Sequence, residues 1–282
     1  MSIKTASYTV EWKPAGSWLD ITSSVISVSG GNEITGNRDN ALAFGDSSDS
    51  KAEVEVKDSL ASGAWARILA SLPGVEHLRV IEINPGYLAV IAGHDEVRPI
   101  LHDPKLEIVI DDGRRYLQRH PHERYDAIVM NTTWHWRDHA TNLLSREFFH
   151  TVRSQLAPGG VFLFNTTLSE AVMVTSARTF PHAERLYNFM VASDAPVVFD
   201  AGRWERLLRT HRIDGAPLLD LADAHDRGRF DALMRLAGPL DRESEWEARE
   251  SGPHLLARFG QLPDVTDDNM WSEWHPSDLN DE

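Results

Sequence analysis

Cysteine is absent from this chain of 282 residues. Its absence excludes disulfides, thiolate metal ligands and a cysteine nucleophile. Basic residues are few: 28 Lys and Arg stand against 43 Asp and Glu, a formal net charge of -15. A field of that sign repels a nucleic-acid duplex or an anionic membrane surface. Neither is expected as a partner, whereas a cationic small molecule is tolerated. Long apolar runs are also missing, and none approaches the ~20 residues of a spanning helix. Met1-Ser-Ile-Lys4 lacks the apolar centre of a secretory leader, so a cytoplasmic location is expected. No Gly-x-Ser-x-Gly turn occurs, which leaves a hydrolase triad unsupported.

What is present is enough apolar content for a core: 41% of the residues are hydrophobic. The most informative stretch is Leu78 to Phe164. Leu78-Arg-Val-Ile-Glu-Ile-Asn84, Leu106-Glu-Ile-Val-Ile-Asp-Asp-Gly113 and Tyr125-Asp-Ala-Ile-Val-Met-Asn131 each end in polar or acidic residues. Gly160-Val-Phe-Leu-Phe164 reaches Asn165 one step later. Helix-compatible segments separate them. A parallel strand is covered on both faces and must be apolar in its middle, while its carboxyl end opens into a crevice. The pattern predicts an α/β fold in which Glu82, Asp112 and Asn131 meet a small molecule at strand ends.

Three regions are expected. Residues 1–57 hold short alternating runs, Tyr8–Trp12, Trp18–Thr22, Val25–Val28 and Ala52–Val56, and read as a small antiparallel β module. Residues 58–200 carry the α/β pattern. It has helices over Ala64–Leu72, Arg114–Arg119 and Leu168–Arg178, and a helix capped by Ser145 with Phe148, Phe149, Val152 and Leu156 on one face. Pro158-Gly159-Gly160 is read as the stop of that helix and the turn into the next strand. Arg185–Val191 and Val197–Phe199 are read as closing strands. Residues 201–282 are expected to form helices over Trp204–Arg212 and Arg227–Leu236, with Gly252–Glu282 as an acidic loop packing by its aromatics.

In order, Val80-Ile-Glu-Ile-Asn-Pro85, Asp111-Asp-Gly113, Tyr125-Asp-Ala-Ile128 and Leu156-Ala-Pro-Gly-Gly-Val161 resemble the spermidine synthase family, the polyamine aminopropyltransferases. The resemblance covers about residues 59–200, with an echo at Val265-Thr-Asp-Asp-Asn269. It implies a doubly wound, mostly parallel sheet of the S-adenosylmethionine-dependent methyltransferase type, preceded by the small antiparallel β unit. It also implies a nucleoside ligand, S-adenosylmethionine or its decarboxylated form, and no metal. An acid at a strand end about 20 residues after a glycine turn holds ribose hydroxyls, and Glu82 stands at that spacing from Gly63. On the resemblance, Asp112 with Gly113 meets the adenine amino group; Asn84 and Asp111 are second choices, and Asn131 borders the same ligand.

The sequence departs from the family in three places. The glycine-rich turn is represented by Ser59-Leu-Ala-Ser-Gly63, where β-carbons at Ser59 and Ala61 narrow the approach to a ligand and resist positive φ. The family's acidic motif after the fourth strand is replaced by Asn131-Thr-Thr-Trp134-His135. Aminopropyl transfer needs a group that takes a proton from the attacking amine, and Asn131 cannot ionise. Trp18-Leu-Asp-Ile-Thr22 looks more like a β module of phage tail proteins than the family's own N-terminal domain, as if residues 1–57 were a fused unit.

Trp134-His135-Trp136-Arg137-Asp138-His139 lies after the fourth strand and is expected to overhang the crevice. Its tryptophans can stack on a base or a cation. His135 is a candidate general base and Asp138 a weaker one; alternatively the segment is a packed lid with its histidines in water. His120, His122 and Glu123 lack a third ligand at a helical spacing, and His135 and His139 lack the glutamate of the zinc-protease pattern. Asp267-Asp268-Asn269 reads as a solvated tail or as a segment folded back on the site. The leading expectation is a spermidine synthase-like protein that binds an adenosyl nucleoside and, if active, transfers a methyl or related group. The alternative is a non-catalytic descendant that assembles with itself or a partner.

Overall fold

The computed structural model describes residues 64–95, 97–131, 140–237 and 249–269, together with four strands between residues 9 and 56. Those strands, β1 (Thr9–Lys13), β2 (Ser24–Ser29), β3 (Leu42–Phe44) and β4 (Ala52–Val56), form an antiparallel sheet in the order β1-β2-β4-β3. The antiparallel character matches the alternation. Leu42–Phe44 was not anticipated, and Trp18–Thr22 lies outside the described residues.

Helices and strands then alternate: α1 (Ala64–Ser71), β5 (Leu78–Glu82), α2 (Gly86–Ala92), β6 (Leu106–Ile110), α3 (Gly113–Arg119), β7 (Tyr125–Met130), α4 (Arg146–Gln155), β8 (Leu156–Asn165) and α5 (Glu170–Thr179). After these come β9 (His182–Leu186), β10 (Phe189–Ser193), α6 (Ala201–Thr210), β11 (Arg212–Ile213), β12 (Ala216–Pro217), α7 (Ala224–Ala237), β13 (Arg249–Ser251) and α8 (Gly252–Phe259). The class is α/β, as expected. Local chemistry starts the helices where they begin. Asp112, Ser145, Ser169 and Asp200 each accept a hydrogen bond from the amide three residues on, satisfying a donor the helix itself leaves open.

β5 pairs with β6 in parallel, Leu78 opposite Leu106 and Glu82 opposite Ile110. β7 pairs with β8 in parallel, within a five-stranded sheet of order β13-β9-β10-β8-β7. Its other pairings are antiparallel. One core unites both parallel pairs. Phe149, Phe162, Phe164, Met173, Met190, Leu255 and Val265 are buried in it, and Ile81 of β5, Val109 of β6 and Ile128 of β7 pack against it. The opposite face of β5–β6 is covered by Ala66 and Ala70 of α1, Ile91 of α2, and Val97 and Ile100. Leu208, Leu219 and Phe230 make a separate small cluster between α6 and α7.

Four readings are corrected. Pro158-Gly159-Gly160 does not turn the chain into a strand, because β8 already begins at Leu156. The three residues form a bulge that moves the register from Tyr125↔Leu156 to Ala127↔Val161. Gly159 has φ +79°, and a β-carbon on Gly160 would lie 2.8 Å from the Tyr125 carbonyl oxygen. Arg185–Val191 is two strands joined at Tyr187-Asn188, whose tyrosine has φ 53°. Val197–Phe199 is not a strand: Val198 is exposed and pairs with nothing described. Gly252–Phe259 is a helix, with Pro253 in its first turn and Leu255 buried. Proline is tolerated there because the amide it lacks has no partner in the helix anyway.

Candidate functional site at the carboxyl ends of the parallel strands

The ends of β5 and β6 lie side by side, and the Asp111 amide donates to the Glu82 carbonyl at 3.2 Å. Glu82 follows Val80 by two residues, so both turn to the face covered by α1 and α2. Its side chain is buried, 7% exposed, and its Oε1 accepts from the Asn84 amide at 2.7 Å. Burial pushes its carboxyl pKa up, against the pull of the Asn84 and Ile83 amides. Burial together with the Glu82 charge also raises the Tyr87 phenol to about 12. Asn84 is held in a local turn, its Oδ1 accepting from the Gly86 amide at 2.9 Å.

At the end of β6 the two aspartates divide their work. Asp111 pairs with Arg115 and Arg119, and the hydrogen bonds from Arg115 hold its carboxyl below the usual range. Asp112 caps α3 through Oδ1, which accepts from the Arg115 amide at 2.7 Å. A β-carbon on Gly113 would meet nothing within 4 Å, so the turn has open space beside it. The expected acids at the strand ends are thus gathered on one edge. Asp111 is committed to arginines and Asp112 gives Oδ1 to its helix, while Glu82 is the buried carboxylate held by backbone amides.

Asn131, at the end of β7, enters a chain of amides. Its Oδ1 accepts from Asn165 Nδ2 at 2.8 Å. Asn165 Oδ1 accepts from the Thr167 amide at 2.8 Å and from Asn188 Nδ2 at 3.2 Å. Beyond β8, Thr167 and Leu168 both take positive φ, 55° and 65°. Conformations of this kind cost of order 1–3 kcal/mol each and persist only where the surroundings impose them. Here the amide chain and the buried Thr166, Thr167 and Ser169 do so. Gly63, His135 and Asp138 lie outside the described residues.

Asn188 was not read as a site element, and for Asp267 the structure decides between the two readings the sequence left open. Asn188 belongs to the amide chain through the β8–β10 pairing, in which Phe189 stands opposite Asn165; no local signal marks it. Asp267 is not in a solvated tail. It binds Arg114, and Ser145 Oγ donates to its Oδ1 at 2.6 Å. The hydrogen bonds from Arg114 hold its carboxyl below the ordinary range. The metal candidates are also engaged locally: Glu123 pairs with Arg79 and accepts from Tyr125, while His120 stacks on Tyr116 at 4.0 Å.

The arrangement is that of an α/β protein with acids gathered at the carboxyl ends of a pair of parallel strands. Its residues 22–196 match the spermine/spermidine synthase domain, and the chain belongs to that family. The match begins inside residues 1–57 and therefore takes in β2, β3 and β4. Similar proteins include the polyamine aminopropyltransferase of Aeropyrum pernix, 27% identical over 55% of this chain and 57% of that protein. Polyamine aminopropyltransferase 2 of Pseudomonas aeruginosa is 28% identical over 54% of this chain and 47% of its own length. The chain thus spans about half the length of these curated relatives. Among solved structures, the spermidine synthase from Thermotoga maritima aligns over 67% of this chain and 65% of its own, with 17% identity and a TM-score of 0.45. No described helix is long and apolar enough to cross a membrane.

Proposed function

We propose that the protein binds an adenosyl nucleoside, S-adenosylmethionine or its decarboxylated form, at the carboxyl ends of β5 and β6, and that it is not an aminopropyltransferase of the family's usual mechanism. The observation that carries the reading is the junction of Glu82 with the Asp111-Asp112 turn, where the two strand ends are hydrogen-bonded side by side. A carboxylate held by amides in a dry setting is suited to accept from a ribose diol, because charge-assisted hydrogen bonds strengthen as water is excluded. The open space beside Gly113 leaves room for a base against the Asp112 turn. Glu82 would hold the ribose, and Asp112 and Gly113 the adenine. The sulfonium of such a ligand supplies an electrophilic carbon for group transfer.

Among the described residues, the side chain that directly follows β7 is neutral. Asn131 accepts from Asn165 and carries no ionisable group, so it cannot relieve an attacking ammonium of its proton. A methyl or related acceptor that needs no such base suits the site better than a polyamine. The test is calorimetric titration of the full chain with S-adenosylmethionine, decarboxylated S-adenosylmethionine and 5′-methylthioadenosine. Saturable binding lost in Glu82→Ala supports the reading, and heats no larger than dilution for all of them overturn it. Transfer of an aminopropyl group to putrescine at rates comparable to a polyamine aminopropyltransferase would overturn its second half.

A further inference from the structure

The loops that leave β6 and β7 are tied together by one guanidinium. Arg114 lies two residues beyond Asp112, in the first turn of α3. Its Nη1 donates to the Asn142 carbonyl at 2.7 Å, in the short 3₁₀ turn Ala140–Leu143 that follows β7 in the chain. The same nitrogen reaches Asp267 Oδ1 at 2.8 Å, and Nη2 bonds Asp267 Oδ2. Asp267 therefore faces Arg114 in the bidentate, fork-to-fork manner that fixes orientation as well as contributing energy. Its Oδ1 also takes the Ser145 hydroxyl, and its amide donates to Glu147 Oε2 at 3.0 Å.

The segment that presents Asp267 is itself braced. The Arg146 amide donates to the Val265 carbonyl at 2.8 Å, and the Val265 amide to Thr175 Oγ1 at 2.9 Å. Thr266 and Asn269 bond each other reciprocally, and Asn269 Nδ2 donates to the Asp264 carbonyl at 2.7 Å. A carboxylate from the far end of the chain is thus seated rigidly against the arginine that spans both loops. Its backbone is anchored by α4 and α5 independently of its bond to Arg114.

We infer that Asp267 is a positioning residue for the nucleoside site: by locking Arg114 it holds the Asp112-Gly113 turn and the Asn142 segment at one fixed separation. The inference rests on the nucleoside reading above and adds to it a residue from beyond the parallel strands. Without the lock, Arg114 keeps its bond to Asn142 but loses the partner that fixes its plane, and the α3 entrance samples other arrangements. If a tenth of the molecules then hold the competent one, apparent affinity falls about tenfold, since the observed dissociation constant scales inversely with that fraction.

The experiment titrates 5′-methylthioadenosine into the full-length wild type, Asp267→Asn, Ser145→Ala and, as a control, Arg153→Ala. Arg153 lies at the opposite end of α4 from Ser145 and bonds Asp194 and the Thr179 carbonyl, so it shares the helix without touching the loops. The expected result is about tenfold weaker binding for Asp267→Asn, a smaller loss for Ser145→Ala, and wild-type affinity for Arg153→Ala even as its melting temperature drops. Amide exchange at Arg115 and Tyr116 in the ligand-free protein should quicken in Asp267→Asn, less so in Ser145→Ala, and not in Arg153→Ala. Should Asp267→Asn fail to fold, Asp267→Glu and Ser145→Ala carry the same comparison. Unchanged affinity in the Asp267 and Ser145 variants overturns the positioning role, as does an equal loss in Arg153→Ala. A wild type that binds no nucleoside, with exchange unaltered, removes the nucleoside reading and this inference together. Faster exchange without wild-type binding removes the nucleoside reading and leaves the lock as a purely mechanical one.

Discussion

Replacing Glu82 with glutamine separates what this residue does to stability from what it does for a ligand. The side chain is 7% exposed and is held by backbone amides, with no cation paired to it among the described residues. Its charge is therefore kept in a dry place at a cost. The folded-state pKa is raised above the unfolded one, so the native state binds the extra proton. The group's favourable contribution is complete below the unfolded pKa and is lost as pH rises through the folded pKa. Glutamine keeps an oxygen for the Asn84 amide and does not titrate. Glu82→Gln should consequently be more stable than wild type at pH 8, by about 1 kcal/mol or about 2–4 °C in melting temperature. The gain should shrink as pH falls toward about 5. Nucleoside binding should move the other way. One charge-assisted hydrogen bond to the ribose diol is worth about 1.5–3 kcal/mol, a loss of roughly 10- to 100-fold in affinity. Thermal melts across pH, paired with titrations of 5′-methylthioadenosine, read both. A variant less stable than wild type at pH 8, or one that binds nucleoside as well, would falsify the assignment of Glu82 as a strained ribose acceptor.

Three further outcomes follow from packing. Phe149 is fully buried and its ring lies 4.9 Å from that of Phe164 and 5.9 Å from that of Phe162; Phe149→Ala should lose about 3–5 kcal/mol in urea unfolding, and Phe149→Leu far less. Gly160→Ala forces a β-carbon to within 2.8 Å of the Tyr125 carbonyl oxygen and 2.9 Å of that of Ala157, and overpacking of this kind should cost about 1–3 kcal/mol. Glu250 is wholly buried between Arg258 at 2.9 Å and His254 at 2.7 Å, with Arg185 at 3.6 Å. Glu250→Gln should destabilise by about 3 kcal/mol and expose α8 to proteolysis before the rest of the chain; a midpoint unchanged in denaturant would count against the pairing.

The parallel strands were legible because short, mainly apolar runs such as Val80-Ile81 and Ile108-Val109-Ile110 end in acids and alternate with helix-compatible segments. Ser145 announced α4 in the same local way, and the structure gives it the capping bond expected. Features that depend on distant pairing were not legible. Asn188 joins Asn165 only because β10 folds back beside β8. Asp267 meets Arg114 only because α4 and α5 seat the Val265 segment between them. Two misreadings share a cause. The Pro-Gly-Gly run was taken as a stop and Gly252-Pro253 as loop, yet glycine and proline are compatible with a bulge in one case and a first helical turn in the other. β-Branched Val197-Val198 misled in the opposite direction, since strand propensity counts for little without a neighbour to pair with.

The outermost strand of the five-stranded sheet, β13, is the last of its strands to leave the ribosome, while its neighbour β9 emerges far earlier. During synthesis, at about 5–20 residues per second, β9 must wait several seconds with one flank of backbone donors and acceptors unclaimed. An open flank of that kind is a template for other nascent chains. Polysome crowding or slow decoding between residues 187 and 249 therefore lengthens the time for which this flank of β9 stands open, before any property of the finished molecule comes into play.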